Sequence, residues 1–314
     1  MVADTIAPPA QSDRPPAKRP RGTPLGPRLW HFASFGGPGV AIYVCFVLAP
    51  ILISVVYSLT NHNPFNPPTR YVGLRNYRLL LQDPEFLLSL RVTTILTVIL
   101  VVVPNVLGLA IAVMLDRPGW FYSALRGVYF TPIVLSSVVV SIIWTRLLAD
   151  NGLVNQALRG IGVGDPPGWL SDPGYAVYSL GLILSWQMLG FCVVVYLAGL
   201  QGVPADLHEA AAIDGAGPVL RFRKITWPLL APALTINTIV MLITGFKVFD
   251  HVQVITNGGP GAGTTATVAF NVLQTGFTAN RLGYASAMAV IMLVIVAVAS
   301  TIALRLLQSR EVDL

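Results

Sequence analysis

Charge is the scarcest commodity in this sequence. Only 11% of its 314 residues are charged and 54% are hydrophobic, with a mean hydropathy of +0.69, against roughly 25% charged in a typical soluble domain. Too few charges remain to coat a water-exposed surface. That excludes a soluble globule, a disordered chain and a nucleic-acid-binding protein, despite a net charge of +6. Cysteine is nearly absent: Cys45 and Cys192 each sit inside an apolar run, with no CxxC and no His at ligand spacing. A disulfide framework and a cysteine metal site are excluded, and both thiols read as small buried hydrophobes. There is no Gly-Lys pair, hence no Walker A loop. There is no HExxH and no GxSxG, and His31, His62, His208 and His251 fall in tails, loops or span edges. None of the 14 acidic residues lies in an apolar run, which argues against a proton-coupled carrier.

What the chain does have is long apolar stretches. A helix needs about 20 apolar residues to cross a bilayer. Six stretches qualify: Val40–Leu59, Val92–Leu115, Val128–Thr145, Ala176–Leu200, Pro228–Phe246 and Tyr284–Leu304. They are continuous rather than alternating, so they predict spanning helices and not a barrel. Gly108 and Ala112, four apart, predict a close helix approach within ordinary packing. The outer segments are expected to carry an amphipathic stretch, Tyr71–Tyr77, and a turn-rich segment around Trp169, read as an interfacial anchor. The Gly258–Gly263 segment reads as a flexible outer turn.

Orientation follows Lys and Arg. With the N-terminus inside, the inner segments hold Arg14, Lys18, Arg19, Arg21 and Arg28; Arg117 and Arg126; Arg221, Arg223 and Lys224; Arg305 and Arg310. They outnumber those of the outer segments, so both termini are expected in the cytoplasm. The N-terminal stretch is basic and Pro-rich and cannot bury enough apolar surface to order itself. The apolar run after it is too long for a signal-peptide core and reads as a retained anchor.

A multi-span chain with no visible catalysis and no energy source of its own is most simply a conduit driven by a partner. The inner segment Gln201–Trp227 has the features of a handle. Pro204 suits a helix first turn, Asp206 meets the helix dipole there, and Leu207, Ala210, Ala211 and Asp214 fall on one face. Gly215 reads as a stop. Pro218 opens a second short helix with Phe222 and Ile225 on one side, and Pro228 opens the fifth span.

The string Glu209-Ala210-Ala211-Ala212-Ile213-Asp214-Gly215-Ala216, with Ile225 and Pro228 beyond it, resembles the EAA signature of permease subunits of ABC importers, in the carbohydrate branch of maltose and glycerol-3-phosphate permeases. Tyr71–Tyr77, Phe249-Asp250 with Val254–Pro260, and Gly283–Ala287 agree with it. Trp227 departs from the family, whose members usually carry Leu before the Pro. The resemblance implies an all-α integral membrane protein of about six transmembrane helices with the type I ABC importer permease fold. It divides the chain into a disordered tail at 1–38, a first helix and outer loop at 39–91, the transmembrane domain at 92–306 with its coupling loop at 201–228, and a tail at 307–314. It further implies a second permease subunit, an ATP-binding cassette ATPase dimer that uses ATP and Mg, an extracytoplasmic binding protein delivering a sugar, and no cofactor held by this chain. Glu209, Ala210, Ala211, Asp214, Gly215, Ala216, Ile225 and Pro228 are then the ATPase-coupling residues.

Sugars are held by hydrogen bonds and aromatic stacking. Polar and aromatic residues within the spans are therefore candidates for the path: Trp186, Gln187, Phe191, Asn237 and Thr244, with Asn105 and Trp144 behind them. Helix packing is the competing reading of each. Two alternatives stay open: a permease for glycerol-3-phosphate or another small polar solute, and a secondary carrier that works without an ATPase.

Overall fold

The structure is a computed structural model that describes residues 25–261 and 263–309, with side chains from Ser34 onward. It separates into two compact units, residues 1–52 and 53–314. Regular structure among the described residues is helical, with one isolated antiparallel bridge between Thr60 and Tyr71.

The first unit contains α1 (Leu25–Tyr43), a π turn (Val44–Leu48) and the start of α2 (Ala49–Ser58). Residues 1–24 of the expected tail lie outside the described residues, while Leu25 to Pro38, expected in that tail, are helical in α1. The apolar span is Ser34–Ser58. Cys45 is exposed there rather than buried, as an apolar side chain on a lipid-facing helix can be.

In the second unit the order is α3 (Arg75–Leu80), α4 (Pro84–Leu115), α5 (Trp120–Val134), α6 (Ser137–Leu147), α7 (Leu153–Gly160) and α8 (Pro173–Gln201). There follow α9 (Ala205–Ile213), α10 (Pro218–Arg221), α11 (Trp227–Leu229), α12 (Ala231–Phe246), α13 (Val268–Leu273) and α14 (Leu282–Gln308). The N-terminal ends of α4 and α8 follow local rules. Asp83 and Asp172 cap their helices by accepting from the backbone at Glu85 and Gly174, each with a Pro at the first helical position. At 32 residues α4 is about 48 Å long, well beyond a hydrocarbon core of about 30 Å. Its first turns, with Glu85 and Arg91, therefore lie beyond the apolar run predicted from Val92.

The core forms where α4 packs along α8, with α5 against α8 and α12 against α4, α8 and α14. Leu96, Leu100, Leu180, Ile183, Leu184 and Met241 fill it. The expected small-residue contact is found within the chain: Gly108 of α4 lies on Cys192 of α8, and Ala112 is fully buried.

Four helices are long and apolar enough to cross a membrane, and two bent pairs bring the total to six if each is one span. The third and fifth spans are therefore not the straight rods that hydropathy predicts. The third, α5 and α6, turns by 97°. Pro132 lies in the last turn of α5, Leu135 and Ser136 are extended, and Ser136 Oγ accepts from the Val138 amide to start α6 afresh. In the fifth, residues Pro218–Leu229 meet α12 at 59°. Pro228 does not open the span but lies within the helix before it. Pro228 and Pro232 each lack an amide hydrogen and crowd the carbonyl four residues back, and the bend falls at Leu230 between them. The π turn at Phe222–Thr226 has the same origin, since it places Trp227 N–H on Phe222 O just ahead of Pro228. An identical widening at Val44–Leu48 precedes Pro50.

Candidate functional site

The handle expected at 201–228 is a projection of two helices around a glycine. Pro204 is the N-cap of α9 rather than its first turn, with ψ 131°, and Asp206 sits in the first turn. At the far end Asp214 is the C-cap, and Gly215 has φ +79°. The Gly215 amide donates to Ala212 O at 3.1 Å and the Ala216 amide to Ala211 O at 2.9 Å. Those are the two bonds of a Schellman turn, and they satisfy the last carbonyls of α9. Pro218 then starts α10 as its first residue.

No residue of α9 is buried. Glu209, Ala210 and Asp214 are exposed, Ala211, Ala216, Ile225 and Pro228 half-buried. At the ends of the elbow, Ile213 is 87% and Val219 81% exposed. Two aliphatic side chains are thus left bare on either side of the turn. Small side chains at Ala210 and Ala212 allow a partner's backbone to come close.

The intramembrane candidates divide. Trp186 is exposed on the same face of α8 as Tyr178 and Leu182, and Trp144 of α6 meets it edge to face, ring centroids 5.5 Å apart at 75°. Gln187, the central residue of α8, points inward and is 1% exposed. Its Nε2 donates to Leu135 O at 3.1 Å, and its Oε1 pairs with His251 Nε2 at 2.7 Å. Asn237 is fully buried, with Nδ2 donating to Cys192 O at 3.4 Å. Beside it Tyr196 donates from its hydroxyl to Asn105 Oδ1 at 2.6 Å. Phe191 packs against the core and Thr244 is half-buried on α12. The structure thus brings Trp144 and Trp186 together at the surface and assigns Gln187, Asn105 and Asn237 to polar links between helices. His251 had no motif to mark it, because its partner is 64 residues away.

The segments between the spans are also tied. The stretch Tyr71–Tyr77 and the Gly283–Ala287 stretch, far apart in sequence, meet. Asn76 Nδ2 donates to Ser58 O and Thr60 O, and the Gly283 amide donates to His62 O at 2.9 Å. Tyr284 donates to Asp83 Oδ2 at 2.6 Å. Trp169 is not a free anchor: its Nε1 donates to Asn155 Oδ1 at 2.7 Å. The Gly258–Gly263 turn is fastened at its base by Thr265 N–H on Gly258 O and by the Thr256–Thr265 hydroxyl pair.

The described residues thus form elbowed apolar helices joined by polar links, with an exposed helical projection between α8 and α12. The chain belongs to the family described as binding-protein-dependent transport system inner membrane component, which matches residues 104–312. It is a multi-pass inner-membrane permease subunit of an ABC transporter, whose ATPase is a separate subunit. It is 34% identical over 287 residues to the probable starch degradation products transport system permease protein AmyD of Thermoanaerobacterium thermosulfurigenes, covering 91% of this chain and 96% of that one. It is likewise 34% identical over 270 residues to the lactose transport system permease protein LacF of Rhizobium radiobacter, covering 85% and 90%. The fold is similar to that of a bacterial ABC transporter involved in the import of the acidic polysaccharide alginate, with a TM-score of 0.76, 21% identity, and 90% and 96% of the two chains covered.

Proposed function

We propose that this chain is the permease of a sugar importer, forming with a second permease subunit the path for a carbohydrate delivered by an extracytoplasmic binding protein. The similarity to permeases named for the transport of starch degradation products and of lactose supports the sugar. Both termini are in the cytoplasm, on the side where Arg and Lys are denser. The α9 projection is the lever that enters the ATPase, with Glu209 available for a charge-assisted bond to an arginine there. Gly215 and Ala216 hold the turn, while Ile225 and Pro228 connect the lever to α12. The observation that carries this reading is the projection itself, a helix with no buried residue that ends in the exposed Ile213.

A cysteine at Ala211 tests it. In membranes holding the whole transporter it is expected to crosslink to the ATPase subunit. Crosslinks that never reach a nucleotide-binding protein would overturn the reading.

The tryptophan corner supports the cargo assignment. Aromatic faces stack on the apolar faces of sugar rings, and a path needs them accessible. Trp186→Ala is expected to raise the half-saturation concentration of sugar uptake by about tenfold, a loss of ~1.4 kcal/mol, with transporter abundance unchanged. An unaltered uptake curve would remove Trp186 from the path. Phe191 on α8 and Thr244 on α12, the helices on either side of the coupling loop, belong to the path in this reading. Gln187 and Asn237 support it from within.

A further inference from the structure

We propose that His251 is a positioning residue for the path, acting through Gln187 and the Leu135 carbonyl to hold Trp144 against Trp186. The inference rests on the sugar-path reading above and adds to it the device that sets the geometry of the aromatic corner.

The chain of bonds has a fixed direction. Leu135 precedes the N-cap of α6, where Ser136 already supplies the carbonyl for Val140. Its own carbonyl therefore points out of both helices at the 97° elbow and needs a donor. Gln187 Nε2 supplies it. The amide oxygen is then left facing His251 Nε2 at 2.7 Å. An amide oxygen only accepts, so His251 Nε2 carries the hydrogen. A flipped amide would set oxygen against the Leu135 oxygen, so both ends hold the same orientation. Gln187 and His251 are 1% and 5% exposed, and a buried polar group that loses its partner carries the full cost of desolvation.

The consequence travels along α6. Trp144 lies about two turns, or roughly 11 Å, beyond the elbow. The elbow sets the direction of α6, and α6 carries Trp144 to Trp186, the residue that immediately precedes Gln187 on α8. Releasing the Leu135 carbonyl frees that direction. The segment preceding the π turn at Val252–Thr256, which carries His251, thus governs two tryptophans it does not bond.

The test uses the assembled transporter in proteoliposomes. The near-UV circular dichroism that Trp144→Phe removes defines the signal of the tryptophan pair. His251→Leu, which has no donor, is expected to lose that signal and to raise the half-saturation concentration for sugar by about tenfold. His251→Gln, whose amide N–H reaches as far as the imidazole, is expected to keep both within about twofold. If His251→Leu fails to accumulate, His251→Asn replaces it, since the shorter amide cannot reach and should behave as Leu does. Survival of the tryptophan signal in the donorless variants overturns the proposal, as does equal damage in His251→Gln. If the signal is lost while Trp144→Ala and Trp186→Ala both import normally, the positioning role stands and the sugar path lies elsewhere.

Discussion

Replacing Gly215 by valine is expected to leave the protein in the membrane and to cut ATP-driven uptake by about tenfold or more, on the order of the 1–3 kcal/mol that a left-handed conformation costs an unsuited residue. The cause is conformational. A Cβ built at Gly215 meets nothing within 4 Å, so crowding plays no part. The backbone there has φ +79°, a region that a β-branched residue enters only under strain. To escape it the turn must open, giving up the bonds from Gly215 and Ala216 to Ala212 and Ala211. The α9 lever then points elsewhere while the spans stay intact. Moving a two-state transporter from 1:99 to 99:1 needs about 5.5 kcal/mol of differential interaction, and a lever that yields transmits only part of it. Gly215→Asn is expected to retain uptake within about threefold, because asparagine tolerates the left-handed region. The ratio of ATP hydrolysed to sugar imported is the measurement. An unchanged ratio in Gly215→Val would show that the elbow is not part of the transmission.

Gly190→Ala is expected to act in the opposite manner, lowering thermal stability rather than coupling. Gly190 lies inside α8, and its backbone needs no special conformation. What it lacks is room: a Cβ there would run into the carbonyl of Tyr129 and lie 2.9 Å from Phe130 Cα. Both obstacles are backbone of α5, so no rotamer change can relieve them. The two helices must separate along the contact that joins α5 to the core. Overpacking of this kind costs about 1–3 kcal/mol. The expected result is a midpoint of thermal unfolding lower by several degrees, about 2–4 °C for each kcal/mol in a chain of this size class, and a larger drop for Gly190→Val. Gly127→Ala, in α5 with no positive φ and nothing within 4 Å of a built Cβ, is expected to move the midpoint little. A melting curve for Gly190→Ala that matches the parent would show that α5 and α8 are not in backbone contact.

The helix–turn–helix geometry of α9 and α10 could be read from sequence because its determinants are local. Asp206 in a first turn, Gly215 at a stop and Pro218 at a start act within a few residues of themselves, and each is found at or beside the expected position. Spans were legible as apolar length but not as shape. Hydropathy sums over Pro132, Leu135 and Ser136 without seeing a helix end, although the capping serine was there to be read. Pro228 was placed at a helix start because prolines favour that position, and only the pairing with Pro232 displaces the bend to Leu230. Gln187 illustrates the other limit. A polar residue midway along a span announces that it has a partner, but not whether that partner is a solute, a carbonyl 52 residues earlier or an imidazole 64 residues later. Trp169 and Asn155 were hidden in the same way.

The clasp between residues 58–83 and the start of α14 has a bearing on how the protein is made. Residues 58–77 bond to one another early in the chain, yet the carbonyl of His62 and the carboxylate of Asp83 find their donors at Gly283 and Tyr284. During synthesis those acceptors wait through the whole insertion of the intervening helices. The clasp shuts only when the last helix arrives, so a chain that ends before that point leaves both acceptors without these partners.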